Sequence, residues 1–362
     1  MIPIYKPHIP DSSVRYATDA VESTWISSIG KYIELATDKL RDLSGCEYVL
    51  LTNNGTSATH LVTRSLARFE PKTKRILVPS SCYVAAYNCL VYDNNGWEIV
   101  CLDLDNSTWN MKIDSVRNGD VIFAVHNLGN IINVPKLKRD FNCTIIEDNC
   151  EGFFGSYDGY NSGSKSLCSS LSFFGNKNVT CGEGGAFLTN DRVIYEFANK
   201  LRGQGQTNTK YIHDEVGYNY RMTNIQAALL LGQLENYEWI YENKKRVFDR
   251  YKKNLNGVDG ISLQQEEADT RSSMWMFGIR FHRAKAYSRS NVFFTGRGID
   301  TRPMFYSYKK HGHLDFVGED SNAVDINNQV VVFPSYPDLT DDEVDYICSM
   351  IKKYSNELEE IL

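Results

Sequence analysis

The chain has 362 residues, 42% of them hydrophobic, with a formal net charge of -6 and an isoelectric point near 5.7. That length exceeds what one hydrophobic core usually serves, so a large domain and a smaller one are expected. The acidic balance leaves no basic excess to neutralise phosphates along a duplex, which excludes a nucleic-acid partner.

At the N-terminus Met1 to Pro7 has no apolar signal core, and no later apolar run is long enough to cross a bilayer. A cytoplasmic protein without a membrane partner is expected. From residue 48 onward, β-rich apolar segments at 48–52, 76–79, 99–104, 121–125 and 143–148 alternate with helical ones. This rhythm predicts an α/β fold with a doubly wound, mostly parallel sheet. Segments 170–174 and 186–189 add strands to it. Residues 223–252 carry apolar side chains at helical spacing and read as a long helix or helix pair. A boundary near residue 240 is expected, giving a large domain 1–240 and a small C-terminal domain 241–362. In the latter, 275–281 and 329–333 read as strands and 341–362 as a terminal helix.

Nine cysteines form no C-x-x-C pair, which argues against a zinc ribbon or a thioredoxin-like site and predicts reduced, buried thiols. His311 and His313 have no acidic or cysteine neighbour at ligand spacing, so an exposed loop is expected there and no metal.

The chemistry concentrates at predicted strand ends, where open α/β sheets gather ligands. Asn53 to Ala58 follows a strand and opens a helix; its amides and the hydroxyls of Thr56 and Ser57 suit a phosphate at the positive end of the helix dipole. An ordinary helix cap by Thr56 or Ser57 fits the same residues. Tyr83, at the next strand end, is placed to stack on a flat heteroaromatic ring, although with 22 tyrosines in the chain a core or interface role fits too. Asp148 ends an apolar strand and needs a partner if partly buried; a protonated pyridine nitrogen would be one. Glu151 would cover the other face of such a ring, or sit on the surface.

Ser172 to Gly185 places Lys177 in a glycine-rich turn. A lysine amine and an upstream aspartate on adjoining strand ends suit pyridoxal phosphate, the amine bonding the aldehyde and the carboxylate holding the ring nitrogen protonated. Ser172 supplies a hydroxyl for the phosphate, and Gly182, Gly184 and Gly185 would let backbone approach a ligand. A solvated loop lysine is the plainer reading of Lys177 taken alone.

The chain resembles the fold-type I, pyridoxal-phosphate-dependent nucleotide-sugar aminotransferases of the DegT type over nearly its whole length. The resemblance rests on Trp25 to Tyr32, the loop Gly55-Thr56-Ser57-Ala58, Asp148 with Glu151, the lysine motif, Gly217 to Met222, and Gly298 to Pro303. It implies that Lys177 holds the cofactor covalently, that Asp148 pairs with the pyridine nitrogen, and that Tyr83 and Glu151 flank the ring. Gly55, Thr56, Ser57 and Ser172 would hold the phosphate. It further implies a homodimer whose partner subunit supplies the segment with Asn219 and Arg221, so that a monomer is inactive. By motif position Trp25, Lys31, Arg221 and Arg302 would contact the substrate. Glu151 and the wording Phe-Phe-Gly-Asn-Lys resemble the branch that aminates C4 of 4-keto-6-deoxy sugars with L-glutamate, through pyridoxamine phosphate. Viosamine formation on a dTDP sugar is the expected reaction, with a GDP-perosamine or UDP-sugar reaction as the alternative. A 3-dehydratase would carry histidine in place of Lys177. A non-catalytic cofactor-binding regulator is the reading from another class.

Overall fold

The computed structural model describes residues 1–360, so the last two residues of the predicted terminal helix lie outside the described residues. The central sheet has eight strands in the order Tyr48–Thr52, Gly185–Thr189, Ser169–Ser172, Thr144–Asp148, Val121–Val125, Arg75–Pro79, Glu98–Leu102 and Val317–Gly318. Pairing is parallel from Ser169–Ser172 through to Val317–Gly318, while Gly185–Thr189 runs antiparallel to both of its neighbours.

The strands read as continuous apolar runs because both faces of this sheet are covered. Val78, Phe123, Val125 and Ile146 pack on one face against Leu61, Val62 and Leu66 of the helix Gly55–Phe69. Leu77, Ile122, Ala124 and Ile145 project from the other face onto Val134 and Leu137 of the helix Val134–Phe141. The alternation within one strand thus serves two cores, and the ligand side is left to the strand ends.

Residues 223–252 form a pair of helices, Asn224–Glu235 and Tyr237–Leu255, meeting at Asn236. The first begins in a capping box: the Thr223 side chain accepts from the Gln226 N–H, and the Gln226 side chain accepts from the Thr223 N–H. A second, antiparallel sheet runs Ile261–Leu263, Phe277–Phe281, Val330–Phe333, Arg302–Pro303. Phe277, Ile279 and Phe333 pack against Val247 and Tyr251 and against Ile347 and Ile351 of the helix Asp341–Glu360. The strand Val317–Gly318 returns from this part of the chain to the edge of the central sheet, with Val317 opposite Val100. Among the described residues no helix is long and apolar enough to cross a membrane.

Candidate active site

Asn54 stands in extended conformation before the helix Gly55–Phe69, and its Oδ1 accepts from the Ser57 N–H at 2.8 Å. The cap is therefore Asn54, where the sequence had offered Thr56 or Ser57; its short carboxamide reaches the third N–H of the helix. Ser57 is buried, with its N–H consumed by the cap, whereas Gly55 and Thr56 line a cavity of about 680 Å³. First-turn N–H groups have no acceptor within a helix, so this end presents donors and partial positive charge to the cavity. Gly55 is required by crowding: a Cβ there would stand 2.7 Å from the Ser172 Cβ and 2.9 Å from its Oγ. That approach brings the Ser172 hydroxyl beside the helix start.

Asp148 ends the strand Thr144–Asp148, opposite Val125 and Ser170, and its Oδ1 accepts from the Cys150 N–H at 3.0 Å. Behind it, Glu147 faces the protein interior. Its carboxylate accepts from His126 Nε2 at 2.9 Å, from the Tyr157 hydroxyl at 3.1 Å and from the Gly163 N–H at 3.1 Å. The Ile132 N–H donates to His126 Nδ1 at 3.2 Å, which assigns the imidazole proton to Nε2. This sealed network holds the end of the strand. Glu151 is buried, and Leu128, in left-handed conformation at φ 56°, donates its N–H to Oε2 at 2.9 Å. Burial pushes the Glu151 carboxyl up to about 7; the charge of Asp148 adds to the rise, while the Lys177 ammonium and the Leu128 N–H oppose it.

Lys177 sits in a turn closed by its own N–H donating to the Phe174 carbonyl at 2.9 Å. The Tyr5 hydroxyl donates to the Lys177 carbonyl at 2.8 Å, and Asn178 donates to the Ser273 carbonyl at 2.8 Å. The lysine Nζ lies 4.0 Å from the centroid of the Trp275 ring. Gly184 and Gly185 serve packing: a Cβ on Gly185 would meet the Asn54 carbonyl oxygen at 2.5 Å, and one on Gly184 would meet the Cys181 and Met222 side chains, whereas Gly182 stands at φ 87° with open space around it.

Gly55, Thr56, Tyr83, Asp148, Glu151, Ser172, Lys177 and Arg302 thus share one cavity wall. Its volume is within the roughly 300–1,000 Å³ typical of small-molecule sites. Tyr83 is 59% exposed at the rim, its ring 6.0 Å from that of Phe305. Five predicted residues are not on this wall. Besides buried Ser57, they are Trp25, which is exposed; Lys31, paired with Asp19 at 2.8 Å; Arg221, whose Nε donates to Ser28 Oγ at 3.1 Å; and Asn219, bridged to Gly203. Trp25, Lys31 and Asn219 are exposed and Arg221 is half-buried. Sequence reasoning missed Trp275, Phe305 and His311, which also line the cavity. Trp275 was visible only as the first residue of a predicted strand, and His311 only as half of a metal pair. His313 Nε2 is instead within 2.8 Å of Asn88 Oδ1, and no trio of metal-ligating side chains converges among the described residues.

The donor set suits pyridoxal phosphate: an amine for its aldehyde, a carboxylate for its ring nitrogen, and a helix start with a serine hydroxyl for its phosphate. The model of the DegT/DnrJ/EryC1/StrS aminotransferase family matches residues 7–352. The chain is 33% identical over 372 residues to a GDP-perosamine synthase of Escherichia coli O157:H7, covering 98% of each. It is 25% identical over 366 residues to a dTDP-4-amino-4,6-dideoxy-D-glucose transaminase of Shigella dysenteriae, covering 97% of this chain and 98% of that one. Among solved structures, an E. coli GDP-4-keto-6-deoxy-D-mannose-3-dehydratase with bound hydrated PLP superimposes with a TM-score of 0.88 at 19% identity, covering 97% and 99%.

Proposed function

The chain belongs to the DegT/DnrJ/EryC1/StrS aminotransferase family, as a pyridoxal-phosphate-dependent sugar aminotransferase, and from that premise we propose its reaction: transfer of the L-glutamate amino group to C4 of a nucleotide-linked 4-keto-6-deoxyhexose. The observation that carries this reading is the convergence of Lys177, Asp148, Ser172 and the Gly55–Thr56 helix start on one cavity wall. When bound, pyridoxal phosphate supplies an electron-withdrawing ring that takes up the electron pair released at the amino-acid Cα. Asp148 would hold the ring nitrogen protonated, Glu151 and Tyr83 would flank the ring, and the amides of Gly55 and Thr56 with the Ser172 hydroxyl would receive the phosphate. Lys177 Nζ, once free, takes the proton from Cα of glutamate and later returns one to C4 of the sugar. Leu128 and Trp275 help close the inner wall against water.

The nucleotide we favour is GDP, with GDP-perosamine as product, in place of the dTDP sugar expected from the motifs. The relative named for GDP-perosamine is 33% identical across nearly its full length, against 25% for the relative named for the dTDP amino sugar. The dTDP sugar is the second reading. The same proposal includes a homodimer in which Asn219 and Arg221 reach the neighbouring subunit's cavity, Trp25, Lys31 and Arg302 contact the sugar nucleotide, and domains 1–240 and 241–362 enclose it. Incubating the cofactor-loaded protein with L-glutamate and GDP-4-keto-6-deoxymannose should yield amino sugar and 2-oxoglutarate in equal amounts. Formation of neither, with this or the dTDP and UDP keto-sugars, would refute the reading.

A further inference from the structure

Lys244 belongs to the helix Tyr237–Leu255, is fully buried, and has no carboxylate partner among the described residues. Its Nζ donates to the Trp275 carbonyl at 2.7 Å and to the Ser335 carbonyl at 2.5 Å. The rings of Tyr5 and Phe248 each lie 5.4 Å from it. Such burial, with only carbonyls for company, pushes the amine well below its usual value and is costly. What it secures is Trp275, whose carbonyl is held by Lys244 and whose indole N–H donates to the Asn176 carbonyl at 2.8 Å. Held at its main-chain carbonyl and at its indole N–H, Trp275 presents the ring face to Lys177 Nζ at 4.0 Å, and the Tyr5 hydroxyl fixes the Lys177 carbonyl.

We infer that Trp275 is a positioning residue for the Lys177 amine, and that Lys244 is the anchor that holds Trp275 in place. The inference deepens the proposed function, since it concerns the amine that reading makes the proton carrier. A cation over an indole face is attracted to the ring, and the ring limits where the detached Nζ can swing. Between proton transfers Lys177 is thereby kept against the Trp275 face of the cavity that Asp148 and Glu151 also line.

The test uses the full-length chain without cofactor. Acylation of Lys177 is followed by mass spectrometry at one fixed, mildly alkaline pH, with exposed Lys72 and Lys353 as internal references. Loss of the aromatic face in Trp275→Leu should speed Lys177 labelling by about 3- to 20-fold, while Trp275→Phe, which keeps a ring, falls between it and the parent. Asp148 and Glu151 remain in every variant, so their fields cancel in the comparison. Lys244→Met should reproduce much of the leucine effect without touching the cavity wall. In the loaded enzyme, Trp275→Leu should lower kcat with little change in KM for glutamate. Labelling of Lys177 unchanged in Trp275→Leu, or equally fast in the phenylalanine variant, overturns the role of Trp275. Unchanged labelling in Lys244→Met overturns the anchor, and Lys244→Arg, retaining a donor, covers the case in which the methionine variant does not fold. A protein that never bonds pyridoxal phosphate would instead defeat the assignment of Lys177, and would leave this labelling pattern as it is.

Discussion

Glu151→Gln separates the cost of a buried carboxyl from its use. In the folded chain the Glu151 carboxyl is raised from 4.5 to about 7, chiefly by burial. Between those two values the folded state keeps a proton that the unfolded chain has released. Stability therefore falls as pH rises through that window and levels off above it. At about 1.4 kcal/mol per pH unit, the full cost of holding this group is at most about 3.5 kcal/mol, of which about 2–3 kcal/mol develops between about pH 5 and pH 8. Glutamine has nearly the same shape, still accepts the Leu128 N–H, and cannot ionise. Urea unfolding of the cofactor-free protein, followed by circular dichroism, should show the variant gaining on the parent by that amount as pH rises over this range. A stability difference between the two that stays constant with pH would refute both the raised value and its attribution to burial.

Three further outcomes follow from the same geometry. Lys177→Ala should lose the yellow colour of the lysine-bound cofactor and about 10²- to 10⁴-fold or more in turnover, measured with saturating donor and acceptor. Gly55→Ala forces a Cβ to within 2.7 Å of the Ser172 Cβ, so it should cost about 1–3 kcal/mol in thermal unfolding and loosen cofactor retention in dialysis. His126→Leu leaves Glu147 sealed in the interior without its imidazole donor, and should destabilise the protein by about 1–3 kcal/mol although neither side chain touches the cavity.

Much of this site was legible because strand ends are legible. An apolar run that stops at Asp148, and another that leads into the turn carrying Lys177, fix two reacting groups to adjoining strands before any contact is known. The eighth strand was not legible, since the two residues Val317–Gly318 are too short to carry a period and are recruited by the open edge of Glu98–Leu102. The cap was misassigned within one turn because asparagine, serine and threonine all cap well, and only backbone conformation selects Asn54. Gly184 and Gly185 were rightly singled out for the wrong reason: the close approach is to Asn54, Cys181 and Met222. Trp275 and Lys244 escaped because both act through contacts far apart in sequence, and a lysine on an amphipathic helix reads as solvated until its surroundings are known.

The absorption spectrum of the purified, cofactor-loaded protein tests the central claim most directly. Excess L-glutamate should bleach the yellow band, and GDP-4-keto-6-deoxymannose should restore it where dTDP- and UDP-linked keto-sugars do not. Recovery with the dTDP sugar alone would contradict the choice of nucleotide, and a protein that never turns yellow with added pyridoxal phosphate would contradict the roles of Lys177 and Asp148.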